Sequence, residues 1–160
     1  ESEVDMKSVN ITEVVTSLLK EYIQNSKRAS EQLDIRLPHG NIWILAQEKI
    51  LIRILCNLID NALKYSTGDI MFYMWGESEY CHIQISNPSD YISDEELKSI
   101  FDLFYTKDEA RTKSSGIGLY ATRKLVIQIS GDIQVNYEAG IFTVSIKLPL
   151  IMKKLVTVEK

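Results

Sequence analysis

Apolar residues recur at three- and four-residue steps through Ile50, Leu51, Ile54, Leu55, Leu58, Ile59, Ala62 and Leu63. That spacing predicts a helix over about 48–65, stopping near Thr67-Gly68. An earlier stripe of Ile11, Val14, Val15, Leu18, Leu19, Tyr22 and Ile23 predicts one helix that runs to about Ala29. Asn10 and Glu13 open it as a capping box, with Asn in place of the usual Ser or Thr. Leu33–Leu37 and Ile42–Leu45 read as two strands forming a hairpin across Pro38, His39, Gly40 and Asn41. A second hairpin is expected from Asp69–Trp75 and Tyr80–Ser86 across residues 76–79. A third is expected from Asp132–Tyr137 and Ile141–Leu148, turning at Glu138, Ala139 and Gly140. Between them fall a short acidic helix over about 94–101, a polar segment over 105–115, and a helix over about 118–129 that ends before Gly131. Strands that come as hairpins but interleave with helices favour an α+β sandwich, helices on one face of a mixed sheet, over a doubly wound parallel fold.

Composition adds little to this and excludes some alternatives. The 160 residues suit one domain with a real core. Apolar residues at 45%, charged residues at 25%, 7 Gly and 3 Pro exclude a disordered or fibrous chain. Eighteen basic against 22 acidic residues give a net charge of −4, which does not favour nucleic acid as a partner. Cys56 and Cys81 sit inside apolar patterns without metal-ligand spacing, as reduced core thiols of a cytoplasmic protein do. No run is long enough to span a membrane, and the first residues are not a signal peptide. A chain that starts without Met reads as an excised piece of a longer protein, with residues 1–6 a linker remnant and 151–160 a tail.

Three features carry candidate chemistry. Arg53, Asn57, Asn61 and Lys64 make a second, polar stripe on the 48–65 helix. Asn side chains offer neutral oxygens of the kind Mg²⁺ accepts beside its waters and phosphate ligands, and Lys64 adds a point charge for phosphate. The same stripe also fits a solvated helix face. Gly116 and Gly118, just before a helix, let backbone amides approach a phosphate, or simply make a loop-to-helix turn. Ile100, Phe101, Leu103, Phe104 and Tyr105 are core residues, or the buried hinge of a lid formed by the polar segment that follows.

In this order and at these separations, the features resemble the ATP-binding catalytic domain of sensor histidine kinases, within the GHKL ATPase superfamily. Residues 57–66, NLIDNALKYS, resemble the family's N box; IFDLFYTKD resembles the F box; SSGIGLYATRKLV resembles the second glycine box and its helix. FTVSIKLPL resembles the closing strand, so the likeness spans roughly 7–150. It implies a two-layer α/β sandwich with a mixed, mostly antiparallel sheet. It implies Asn61 as the Mg²⁺ ligand, Asn57 and Lys64 as catalytic positions, and Tyr65 beside the nucleotide. Gly116, Ile117, Gly118 and Leu119 would bring backbone to the phosphates, and 105–115 would be the ATP lid. The γ-phosphoryl group would go to a histidine on a dimerisation domain absent from this chain, and from there to a response regulator. The parent would be a membrane-bound bacterial kinase with this part in the cytoplasm, and the fragment alone would be monomeric.

Two departures stand out. The first glycine box, Asp-x-Gly-x-Gly in the family, falls on Asn87, Pro88, Ser89, Asp90 and Tyr91. Asn87 can still accept a bond from the adenine amino group, but without a charge, which weakens ATP binding by roughly tenfold; Asp90 is a substitute acceptor. In the lid, Thr106 stands where many relatives carry Arg, leaving Lys107, Arg111 or Lys113 as the phosphate-facing cation. His39 and His82 lack the context of a phosphoacceptor and read as structural. The competing readings are a degenerate module with weak or no ATP binding that serves as a docking domain, and a GHKL-type serine kinase.

Overall fold

The computed structural model describes residues 5–103 and 118–151. Strand β1 (Lys7–Asn10) runs straight into α1 (Ile11–Asn25), where Asn10 Oδ1 accepts the Glu13 N–H at 3.2 Å. Ile11, Val15 and Leu19 form the buried stripe of α1. The helix stops at Asn25 instead of continuing to Ala29, because Ser26 turns extended and caps a new helix, α2 (Lys27–Gln32). Its hydroxyl accepts the Ala29 N–H at 3.0 Å, a local bond that competes with helix continuation.

The expected hairpin of residues 33–45 does not form. Strand β2 (Leu33–Arg36) lies parallel to β4 (Ile70–Glu77), whereas β3 (Trp43–Ala46) pairs antiparallel with β1 in a separate small sheet. The connecting loop explains the separation. Ile42 N–H donates to Thr12 Oγ1 at 2.9 Å, its carbonyl accepts the Ile11 N–H at 2.9 Å, and the Thr12 hydroxyl donates to Gly40 O at 3.3 Å. These bonds pin residues 40–42 to the start of α1 and carry the chain away from β2.

Helix α3 (Glu48–Tyr65) has the predicted bounds. It buries Leu51, Ile54, Leu55, Leu58 and Ile59. At roughly 1.5–3 kcal/mol each, they outweigh the cost of two asparagines in the helix, at most about 0.7 kcal/mol apiece. Arg28 of α2 ties down the far end of α3: Nη1 donates to Leu63 O, Nη2 to Ser66 O at 2.6 Å, and Nε to Gln32 Oε1 at 2.6 Å. A cation at the carbonyl end of a helix also complements its dipole.

The main sheet has the order β2-β4-β5-β7-β6, with β5 (Tyr80–Pro88), β6 (Asp132–Glu138) and β7 (Ile141–Pro149). All its pairs are antiparallel except β2–β4. Alternate residues face the helical layer and are buried: Ile70, Phe72 and Met74 on β4, Cys81, Ile83 and Ile85 on β5, Val144, Ile146 and Leu148 on β7. On β4 and β5 four of the intervening positions, Tyr73, Trp75, Tyr80 and His82, carry rings, with Trp75 and His82 stacked at 4.9 Å. Burial pushes the Cys81 thiol up to about 12, and both cysteines are free. The β4–β5 turn is tighter than expected, since Glu77 still pairs with Tyr80 and Ser78 takes a φ of 57°. The β6–β7 turn has two successive positive φ angles, 53° at Ala139 and 81° at Gly140, as a two-residue hairpin loop requires.

Helix α4 (Asp94–Lys98) carries the full capping box between Ser93 and Glu96 and ends before Phe101, shorter than expected. Helix α5 (Tyr120–Gln128) begins two residues after Gly118. It ends where Gly131 N–H reaches back to Val126 O at 2.9 Å. A Cβ on Gly131 would lie 2.7 Å from Leu148 Cδ2 and 2.9 Å from Lys147 O, so only glycine fits this contact of helix end and sheet. The architecture is the expected α+β sandwich.

Candidate functional site

A cavity of about 490 Å³ opens between the polar face of α3 and the start of α5. Its volume falls within the range of small-molecule sites. Asn57, Asp60, Asn61 and Lys64 form one wall, and Gly118 to Thr122 the other, with Asp102 and Leu103 at the edge. Arg53, at the beginning of the predicted stripe, is not among the lining residues; Asp60 is. Asp60 was not anticipated, although its position three residues after Asn57 places it on the same helix face.

The two walls are joined by a hydrogen bond from Asn57 Nδ2 to Thr122 Oγ1 at 3.2 Å. Thr122 is buried, so the bond both satisfies its hydroxyl and sets the distance between α3 and α5. Leu119 has a different part from a backbone donor. Its N–H is engaged with Ile100 O at 2.8 Å and its side chain is buried. The bond ties the residues on either side of segment 104–117 together at the rim of the cavity. Ile100 is fully buried and Arg123 lies over the Phe101 ring at 5.3 Å, so this rim is anchored in the core. The first-turn amides of α5 lack helical partners, and together with the helix dipole they favour an anion at this end of the cavity.

Lys64 is exposed, with its Nζ 5.3 Å from the Tyr65 ring centroid. Tyr22 of α1 donates to Asp60 Oδ1 at 2.7 Å. Burial, then the Asp60 carboxylate and the nearby Cys56 thiol, push the Tyr22 hydroxyl far above its ordinary range, which keeps it a donor.

Tyr65 and Asn87 meet beyond Asn61, in a crevice that also touches Leu58, Ser89 and Phe142. At about 10 Å³ it is close to the size of one water. Asn87 is buried and its Nδ2 donates to Pro88 O at 2.9 Å, leaving the amide oxygen as an acceptor. Tyr65 Oη is buried without a hydrogen-bond partner among the described residues. Such an atom marks a place where a polar partner belongs. A purine entering here requires the surrounding side chains to separate. Lys107, Arg111, Lys113, Gly116 and Ile117, expected around the phosphates, and the lid over 105–115 lie outside the described residues.

A polar helix face opposing a helix N-terminus, on an α+β sandwich, defines a nucleotide-binding class of domain. The profile of the histidine kinase-, DNA gyrase B-, and HSP90-like ATPases matches residues 46–152, and the chain belongs to this family. Among individual proteins, it is 26% identical over 155 residues to the sensor histidine kinase YcbM of Bacillus subtilis, covering 92% of this chain and 50% of that protein. It is 27% identical over 153 residues to the sensor protein DltS of Streptococcus agalactiae, covering 93% of this chain and 38% of that protein. The chain thus spans half or less of these relatives. The catalytic domain of the histidine kinase ThkA shares the fold with a TM-score of 0.76 at 19% identity, over 91% of this chain and 97% of that one.

Proposed function

We propose that the chain is the ATP-binding catalytic domain of a two-component sensor histidine kinase. The observation that carries the reading is the cavity in which Asn57, Asn61 and Lys64 oppose the first turn of α5. Its donor set fits Mg²⁺ held with a triphosphate: amide oxygens on one wall, an anion-favouring helix start on the other, and a lysine between solvent and phosphate. The Asn61 oxygen would hold Mg²⁺, which when bound neutralises charge on the β- and γ-phosphates. Asn57, braced by Thr122, orients the phosphate end; Lys64 adds positive charge; Gly118 allows the backbone a close approach. Asn87 accepts from the adenine amino group once the Tyr65 crevice opens. Lys107, Arg111, Gly116 and Ile117 complete the phosphate side from the lid.

Phosphoryl transfer of this type asks the protein mainly to position the reactants and neutralise charge, which these residues do. The acceptor is a histidine on a dimerisation domain outside the chain, and a response regulator receives the group next. The working location is the cytoplasm, next to the membrane that holds the parent. Among the described residues no helix is long and apolar enough to cross a membrane.

Thermal melts with rising Mg-ATP test the reading, on the wild type and on Asn61→Ala. A nucleotide binding only the folded state at about 100 times its Kd adds about 2.7 kcal/mol, a rise of roughly 5–10 °C for a chain of this size. Asn61→Ala should lose most of that rise. No shift in the wild type at millimolar Mg-ATP refutes a nucleotide site. That result would favour the second reading, a docking module without ATP, which draws support from the narrow crevice at Asn87 and Tyr65.

A further inference from the structure

The carboxylate of Asp60 has no part in the roles given so far, yet it stands on the cavity wall between Asn57 and Asn61. Asp60 is exposed, and its Oδ1 is held at 2.7 Å by Tyr22, which reaches across from α1. Among the described residues, no ion pair neutralises it. The carboxylate is therefore an acceptor oriented by a neutral donor, beside the place where a triphosphate would sit.

A carboxylate there is costly for bare ATP, because like charges repel. It becomes favourable when a divalent cation stands between the two. Mg²⁺ retains several coordinated waters, and a carboxylate next to the ligating Asn61 can accept hydrogen bonds from them. Asn61, as a ligand, favours the metal-bound nucleotide, but the neutral amides of Asn57 and Asn61 carry no charge with which to repel the metal-free one. Lys64 acts the opposite way and attracts the triphosphate whether or not metal is present.

We propose that Asp60, held by Tyr22, makes nucleotide binding at this site conditional on the divalent cation. It repels metal-free triphosphate and supports the water shell of the bound metal. Asp60 is a metal-discriminating residue and Tyr22 a positioning residue that acts through it. This inference rests on the ATP-binding reading above.

The test is calorimetric titration of ATP into the chain, once with Mg²⁺ and once with EDTA, for the wild type, Asp60→Asn and Tyr22→Phe. Asp60→Asn keeps the shape of the side chain at an exposed position, and a melt without nucleotide checks that each variant is folded. The quantity read is the ratio of the two affinities, which cancels general damage to the site. Loss of a partner in the outer shell of a metal typically costs 10–100-fold in metal affinity. The ratio should accordingly fall by about tenfold in Asp60→Asn, with metal-free ATP binding more tightly than to the wild type. Tyr22→Phe should move the ratio the same way by a smaller factor. A wild-type ratio retained in Asp60→Asn, even with both affinities lowered, overturns the proposal and leaves ATP binding standing. A wild type that binds ATP in neither buffer overturns the ATP reading, and this inference with it.

Discussion

Replacing Arg28 by Ala tests how the C-terminal end of α3 is held. The guanidinium donates to Leu63 O and to Ser66 O, the latter at 2.6 Å, and these carbonyls bracket Lys64 and Tyr65. A hydrogen bond to a charged group contributes about 1.5–3 kcal/mol when well buried. Arg28 is only half-buried, so water would take over part of each bond in the variant. The interaction of a cation with the helix C-terminus adds about 0.3–1 kcal/mol. A net loss of about 2 kcal/mol is expected, or roughly 4–8 °C in Tm for a chain of this length. Thermal and urea melts read the loss directly. Arg28→Lys keeps the charge but cannot reach two carbonyls with one planar fork, and should recover less than half of it. Mg-ATP affinity should also weaken a few-fold in Arg28→Ala, because Lys64 and Tyr65 lose their fixed backbone. A change under about 0.5 kcal/mol in Arg28→Ala, or full recovery by Arg28→Lys, would show that the fork does not hold the helix end.

Two further outcomes follow from burial. The Cys81 thiol is raised from about 9 to about 12 in the folded chain, so its contribution to stability is complete below pH 9 and is lost as pH rises towards 12. Stability should fall by about 1.4 kcal/mol per pH unit in that window on this account, and urea melts of Cys81→Val should lack that part of the slope. Asn87→Asp exchanges a neutral acceptor for a charged one at a buried position that now donates to Pro88 O. The variant should bind Mg-ATP roughly tenfold more tightly while its nucleotide-free Tm drops, since Asp cannot make that donation and its charge is buried. An unchanged affinity by calorimetry would remove Asn87 from the adenine site.

Much of the fold was legible along the chain because local periodicity and burial agree there. Helix α3 has its predicted ends, since an apolar stripe sustained over eighteen residues leaves a single way to face the sheet. The turn at residues 138–140 was visible from Gly140 between two alternating runs, although Ala139 takes a positive φ that residues with a Cβ rarely adopt. Asn57, Asn61 and Lys64 could be grouped by helical spacing alone.

Other features depended on contacts distant in sequence. Strands β2 and β3 look like a hairpin from their spacing, but Thr12, some thirty residues earlier, captures Ile42 and sends β3 to the other sheet. Strand β1 exists because β3 is there to pair with it. Asp60 was not singled out by the pattern and proved to be part of a cavity wall, with α5 opposite and its carboxylate held by Tyr22. The amino-acid sequence by itself determined which residues share the polar face of α3, since a helix repeats its geometry locally. Only the tertiary structure decided what that face meets, because the partners Thr122, Tyr22 and Ile100 arrive from elements whose distance along the chain carries no local signal.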